Sequence, residues 1–194
     1  MAKKFFRILW VILAVFVTGS VAMIAFSPYG KDPEFPYRLV RTTVTIDRPK
    51  AIVFEYLGHS AYASDWSVFV HHITPINADS FPDGSVGSRR RVYCYENEEG
   101  RRWDELIAEV LPDEKRQLEL YNFIGFPMDA DHLATEQIYK ETKEGHTELT
   151  FTVFFKHHEP GLYDLYKMYL GAYKIYDIFE QNMNNIKQIV EKAY

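Results

Sequence analysis

The C-terminal end of the chain carries the pattern that most limits its fold. From Pro160 to Ala193 no further proline occurs, and apolar residues recur at helical spacing. Leu162, Tyr169, Tyr176, Met183 and Val190 fall at every seventh position, and Leu165, Ala172, Phe179 and Ile186 fill a second seam beside them. A helix of about nine turns at ~3.6 residues per turn therefore bears one continuous apolar stripe. Something must cover that stripe. A coiled-coil partner is one answer. The segments that precede it favour another, because they read as strands, and a sheet has an apolar face of its own to bury.

Arg38 to Ile46 alternates, with Val40, Thr42, Val44 and Ile46 on one face, as in a half-buried strand. Asp47-Arg48-Pro49 predicts a helix start with Asp47 as N-cap; Ile52, Val53, Tyr56 and Leu57 form its apolar side and Gly58 ends it. A second short helix or turn is expected over Ser60 to Trp66. Six strand-like stretches follow near 67–77, 86–96, 101–111, 116–124, 133–142 and 146–156. Turn signals separate them at Pro82-Asp83-Gly84, Glu98-Glu99-Gly100, Pro112-Asp113 and Glu144-Gly145. Connections this short imply an antiparallel meander. The expectation is an α+β domain, strand, two short helices, six strands and a long helix, over residues 38–194.

Residues 8–26 hold nineteen amino acids without a charge. As a helix they span about 28 Å, close to a hydrocarbon core of ~30 Å. A cleaved signal peptide is the rival reading, since Ser20-Val21-Ala22 offers small residues to a peptidase. The apolar run continues past that point through Met23-Ile24-Ala25-Phe26, which favours an uncleaved anchor. Lys3, Lys4 and Arg7 in the 1–7 tail place the N-terminus in the cytoplasm and the domain outside, in the periplasm if the cell is Gram-negative. Residues 27–37, with three prolines and a glycine, read as a short stiff tether.

Of 22 Lys and Arg against 27 Asp and Glu, three basic residues lie in the first 26 positions, so the remainder carries 19 against 27, or −8. That balance excludes a nucleic-acid partner. One cysteine, Cys94, allows neither an intrachain disulfide nor a cysteine zinc site, and is read as a small buried hydrophobe. Aromatic residues are abundant, with 14 Tyr, 14 Phe and 3 Trp. They suit a packed core and a ligand cavity equally.

Several local blocks fall in a telling order. Val44-Thr45-Ile46-Asp47-Arg48-Pro49-Lys50-Ala51-Ile52-Val53-Phe54-Glu55-Tyr56-Leu57 is followed by Asp65-Trp66, by Phe81-Pro82-Asp83-Gly84-Ser85-Val86-Gly87, by Arg102-Trp103-Asp104-Glu105 and by Glu109-Val110-Leu111-Pro112. The series, over residues 38–194, resembles the SRPBCC superfamily, which includes START-like lipid carriers, plant pathogenesis-related allergens and polyketide cyclase/dehydrase-like proteins. The resemblance implies a helix-grip fold: a seven-stranded antiparallel curved sheet around the long helix, with a cavity between them for a hydrophobic small molecule or lipid. It implies no cofactor. The membrane segment lies outside the common pattern.

Within that frame, pairing Glu96 with Arg102 across the Glu98-Glu99-Gly100 turn sets Tyr95 opposite Trp103, Tyr93 opposite Glu105 and Arg89 opposite Glu109. The more apolar face then carries Val86, Arg90, Val92, Cys94, Asp104, Leu106, Ala108 and Val110. Arg90, balanced by Asp104, is expected to hold the polar head of the ligand; a register slip of one residue leaves Arg90 in solvent instead. The expected ligand-binding set is Trp66, Arg90, Val92, Asp104, Leu106, Leu120, Phe151, Val153, Tyr169 and Tyr173. A cyclase-type enzyme is the alternative, with Asp104 or Tyr93 as acid/base. An interaction domain with a filled core, docking a membrane partner, is a third.

Arg89-Arg90-Arg91 and Arg101-Arg102 sit among Glu96, Glu98 and Glu99, which suggests a paired surface rather than a phosphate site. His71-His72 and His157-His158 cannot chelate side by side if each pair alternates along a strand, so no metal is expected. Asp129-Ala130-Asp131-His132 reads as a polar loop that flanks the cavity mouth or lies on the surface. No GxSxG, phosphate-loop or dinucleotide motif is visible.

Overall fold

The computed structural model describes residues 2–33, 35–126, 133–156 and 161–193. Eight strands build one antiparallel sheet: β1 (Gly30–Lys31), β2 (Arg38–Ile46), β3 (His72–Pro75), β4 (Arg89–Tyr93), β5 (Arg102–Leu111), β6 (Lys115–Ile124), β7 (Leu133–Glu141) and β8 (Thr147–Phe155). Their spatial order is β1-β2-β8-β7-β6-β5-β4-β3. The helices are α1 (Ala2–Ala25), α2 (Lys50–Gly58), α3 (Ala63–Trp66) and α4 (Leu162–Ala193), with a 3₁₀ turn at Ser60–Tyr62. The α+β order is thus the expected one, with a strand added.

The added strand lies in the proline-rich segment, where Gly30 pairs with Leu39 and Lys31 with Arg38. Two residues between prolines suffice to extend the free edge of β2. Tyr29 anchors them: it is 3 % exposed and meets Tyr169 edge-on at 5.4 Å. The Ser27 hydroxyl donates to the Tyr169 carbonyl at 2.7 Å, and Asp32 pairs with Arg41 at 2.6 Å. This part of the segment is docked on the domain.

Asp47 does not cap α2. Pro49 occupies the N-cap with an extended ψ of 144°, so the helix begins two residues later than an Asp47 cap requires. The Asp47 N–H instead donates to Glu191 Oε1 at 2.7 Å, and Arg48 donates to the Glu191 carbonyl, tying the β2–α2 corner to the end of α4.

Two register irregularities in the β5–β6 ladder, between Arg102 and Asp104 and between Ile107 and Glu109, bend the sheet. Asn122 sits at the first, with φ 54°. The curved sheet embraces α4. Met168, Ala172, Met183, Ile186 and Val190 are buried along the helix, and Leu165, Tyr169, Tyr176 and Phe179 pack half-buried beside them. The stripe begins later than its sequence period indicates, because the first turn runs past the sheet and leaves Leu162 88 % exposed. One polar residue interrupts it: buried Asn182 accepts the Val68 N–H at 2.8 Å.

α1 is long and apolar enough to be a membrane span or a signal sequence, and its most apolar stretch is not buried in the chain. Only its last turns touch the domain: Ser20 Oγ lies 3.3 Å from the Tyr166 hydroxyl, and the Tyr173 hydroxyl donates to the Met23 carbonyl at 2.9 Å.

Candidate functional site

The face that meets α4 follows from pairing. Val92 lies opposite Trp103, Arg90 opposite Glu105, and Glu105 opposite Leu120. In the next row Arg116 lies opposite Gln137, Gln137 opposite Phe151, and Phe151 opposite Thr42. Directly paired residues point to the same side of a sheet. A face that would be dry in a simple two-layer core thus carries Arg90, Glu105, Arg116 and Gln137 among Val92, Trp103, Ile107, Leu118, Leu120 and Phe151.

Two polar groups form there. In the first, Arg90 Nε donates to Glu105 Oε2 at 2.7 Å and the Trp103 indole N–H to Glu105 Oε1 at 2.9 Å. Arg90 and Glu105 are each 8 % exposed. Both carboxylate oxygens are used, which is how a charged pair survives away from water. In the second, Arg116 lies beneath α2. Its guanidinium faces the Phe54 ring at 4.4 Å and reaches the Phe54 carbonyl, Gln137 Oε1 and the Tyr139 hydroxyl at 3.4, 3.3 and 3.4 Å. The Tyr139 hydroxyl donates to Gln137 Oε1 at 2.7 Å. Burial pulls the affinity of Arg116 for its proton down, and the nearby Arg90 charge acts in the same sense. Burial pushes the Tyr139 phenol up, so it stays neutral.

Aromatic side chains cluster at two places along this face. Phe69 stacks on Trp103 at 6.0 Å, and Phe123 and Phe126 pack around them. At the second place Phe151 meets Trp66 at 6.1 Å and Phe179 at 5.9 Å, both edge-on.

Of the expected ligand set, Arg90, Val92, Leu120, Phe151 and Val153 lie on this concave face. Trp66 reaches it from α3 and Tyr169 from α4. Asp104 and Leu106 do not. The β4–β5 register differs by three residues from the expected one: Tyr93 pairs with Arg102 and Arg91 with Asp104. The connection is longer than a tight hairpin, with Glu98 and Gly100 both at positive φ, and an odd shift turns β5 over. Asp104 therefore sits on the convex face, held by Arg91 Nε and Nη2 at 2.7 and 2.9 Å and by Asn122 at 2.8 Å. Burial opposes its ionisation, yet these bonds outweigh it and hold the carboxyl below its ordinary range. Tyr93, the other acid/base candidate, also points outward and stacks on His72 at 4.7 Å. Tyr173 is 38 % exposed and faces α1. Cys94 is half-buried against the apolar core, and burial pushes its thiol up to about 11.

Glu105, Arg116, Gln137, Tyr139 and Phe54 were absent from the expected set. Two of them had a readable signal. Arg116 shares strand parity with Leu118 and Leu120, and Glu105 with Trp103 and Ile107, so each is a charge on the apolar phase of its strand.

His71 and His72 do meet, Nδ1 to Nδ1 at 2.9 Å, because β3 starts only at His72 and alternation does not govern His71. Among the described residues no group of three or more His, Cys, Asp or Glu is placed to hold a metal. Asp129, Asp131, His132, His157 and His158 lie outside the described residues.

The sequence matches no protein-family model, and no curated protein matches it. Solved structures do share the fold. Ara h 8.0201 is 12 % identical, with 80 % of this chain and 98 % of that one covered at a TM-score of 0.59. The Zhui aromatase/cyclase from Streptomyces sp. R1128 is 16 % identical, with 80 % and 94 % covered at 0.59. DynU16, a putative protein of the dynemicin biosynthetic locus, is 17 % identical, with 80 % and 48 % covered at 0.55. The fold is thus a helix grip, shared with these structures.

Proposed function

We propose that this protein is a membrane-anchored binder of a hydrophobic small molecule or lipid, which it sequesters or hands over from the space between the curved sheet and α4. One observation carries the reading: the concave face bears charged and hydrogen-bonding side chains inside an aromatic and aliphatic lining. Burying such groups without function costs stability, whereas a ligand site needs a mostly apolar wall with a few polar anchors. Trp66, Arg90, Val92, Leu120, Phe151, Val153 and Tyr169 are the lining residues in this reading, with Arg90 oriented by Glu105. The neighbour described as an aromatase/cyclase supports an enzyme of that type as the second reading. On it the acid/base role passes from Asp104 and Tyr93, which face away, to Glu105 or Tyr139.

α1 is the anchor, with the N-terminus cytoplasmic and the domain outside. Its contacts through Tyr166 and Tyr173 hold the N-terminal half of α4 beside the membrane surface, where aromatic side chains are favoured. Native mass spectrometry of the full chain released from its own membranes tests the binding reading. A lipid-sized adduct that survives release is expected. A ligand-free protein that also takes up no fluorescent apolar probe would overturn it.

A further inference from the structure

The two guanidinium groups on the concave face are not equally provided for. Arg90 has a carboxylate at 2.7 Å. Arg116 is 3 % exposed and has none within ion-pair distance among the described residues. Its three acceptors are neutral and stand at 3.3 to 3.4 Å, at the weak edge of hydrogen bonding. Its Nε is buried with no partner. The carboxylate whose field reaches it, Asp83, is exposed and is held by the Ser60 N–H and hydroxyl at 2.9 and 2.8 Å. Thr42, in the same cross-strand row, also buries an unpartnered hydroxyl. Arg90 and Arg116 against Glu105 leave this floor with one positive charge in excess.

The geometry points to an amphipathic monoanion as the ligand class, a long-chain carboxylate whose head pairs with Arg116 while its chain lies along the aromatic wall. The inference rests on the binding reading above and narrows it. A monoanion balances the excess charge, and a planar carboxylate matches a guanidinium fork. Stacking on Phe54 makes the bare cation tolerable without neutralising it.

The test compares three probes of equal chain length, dodecanoate, methyl dodecanoate and dodecan-1-ol. They are titrated calorimetrically into the full chain in phosphatidylcholine nanodiscs, with empty nanodiscs as the blank. The expected result is at least about tenfold tighter binding of dodecanoate than of either neutral probe, the scale of one charge-assisted bond. Arg116→Met should erase that preference and leave dodecan-1-ol affinity within about twofold; Arg116→Lys should keep part of the preference. Equal affinity for all three probes overturns the anion inference while the binding reading stands. Failure of every probe to bind counts against both. If Arg116→Met does not fold, dodecanoate with a photoreactive group beside its carboxylate replaces it: crosslinks to α2 or β6 are expected, and crosslinks confined to other elements overturn the assignment.

Discussion

Glu105 illustrates how one side chain is held by its neighbours. It accepts from Arg90 and from the Trp103 indole, so removing its charge strands a buried guanidinium. Glu105→Gln should cost about 3–5 kcal/mol in urea unfolding, whereas Arg90→Met combined with Glu105→Leu should recover much of that loss. A double-variant loss equal to the sum of the losses at the two positions taken singly would show that the pair is not coupled. Asp104 is the contrasting case on the convex face. Its carboxyl is held below the ordinary range, so its stabilisation is present above the unfolded-state value of about 4 and is lost as pH falls through the folded value. Asp104→Asn should lower stability near neutral pH by about 1–3 kcal/mol. It should also flatten the acid limb of stability against pH, measured by chemical denaturation down to pH about 2.

At the scale of elements, α4 and the turn before β4 carry separable demands. Met183 and Ile186 are fully buried between helix and sheet. Met183→Ala should cost about 2–5 kcal/mol, since the curved sheet cannot collapse onto the space left behind. Gly84 has φ 79°, and a Cβ there would stand 2.7 Å from the Gly58 carbonyl oxygen at the end of α2. Gly84→Ala is both strained and crowded, and should lower the thermal midpoint more than Gly145→Ala, which has a similar φ but open space around it. A smaller effect at Gly84 than at Gly145 would mean that the α2 corner yields freely.

For the whole molecule, the docked segment sets where the folded unit begins. Tyr29 and β1 lie outside residues 38–194, yet Tyr29 is buried on Tyr169. A chain starting at 27 should melt several degrees above one starting at 38, in keeping with the burial of one aromatic side chain, about 2–3 kcal/mol. Identical melting curves would show that the segment is only a tether. Anchoring makes its own prediction: the full chain should resist alkaline extraction from membranes and expose its domain to protease only from the non-cytoplasmic side.

Local physics was enough for much of this. Strand alternation in Val40 to Ile46, the Gly58 stop, the turns at Pro112-Asp113 and Glu144-Gly145 and the stripe of α4 are each written in neighbouring residues, and together they specify strand, two short helices, a meander and a covering helix. The same parity put Arg90 and Val92 on one face. What depended on the number of residues in a connection was not legible: the loop between Tyr93 and Arg102 shifts the register by three and exchanges Asp104 for Glu105 on the concave face. Nor was the docking of Tyr29 legible, nor the meeting of Arg116 with Phe54, 62 positions apart in the chain. Periodicity is a property of each segment alone, whereas register and long-range contact are settled only when the whole sheet closes on its helix.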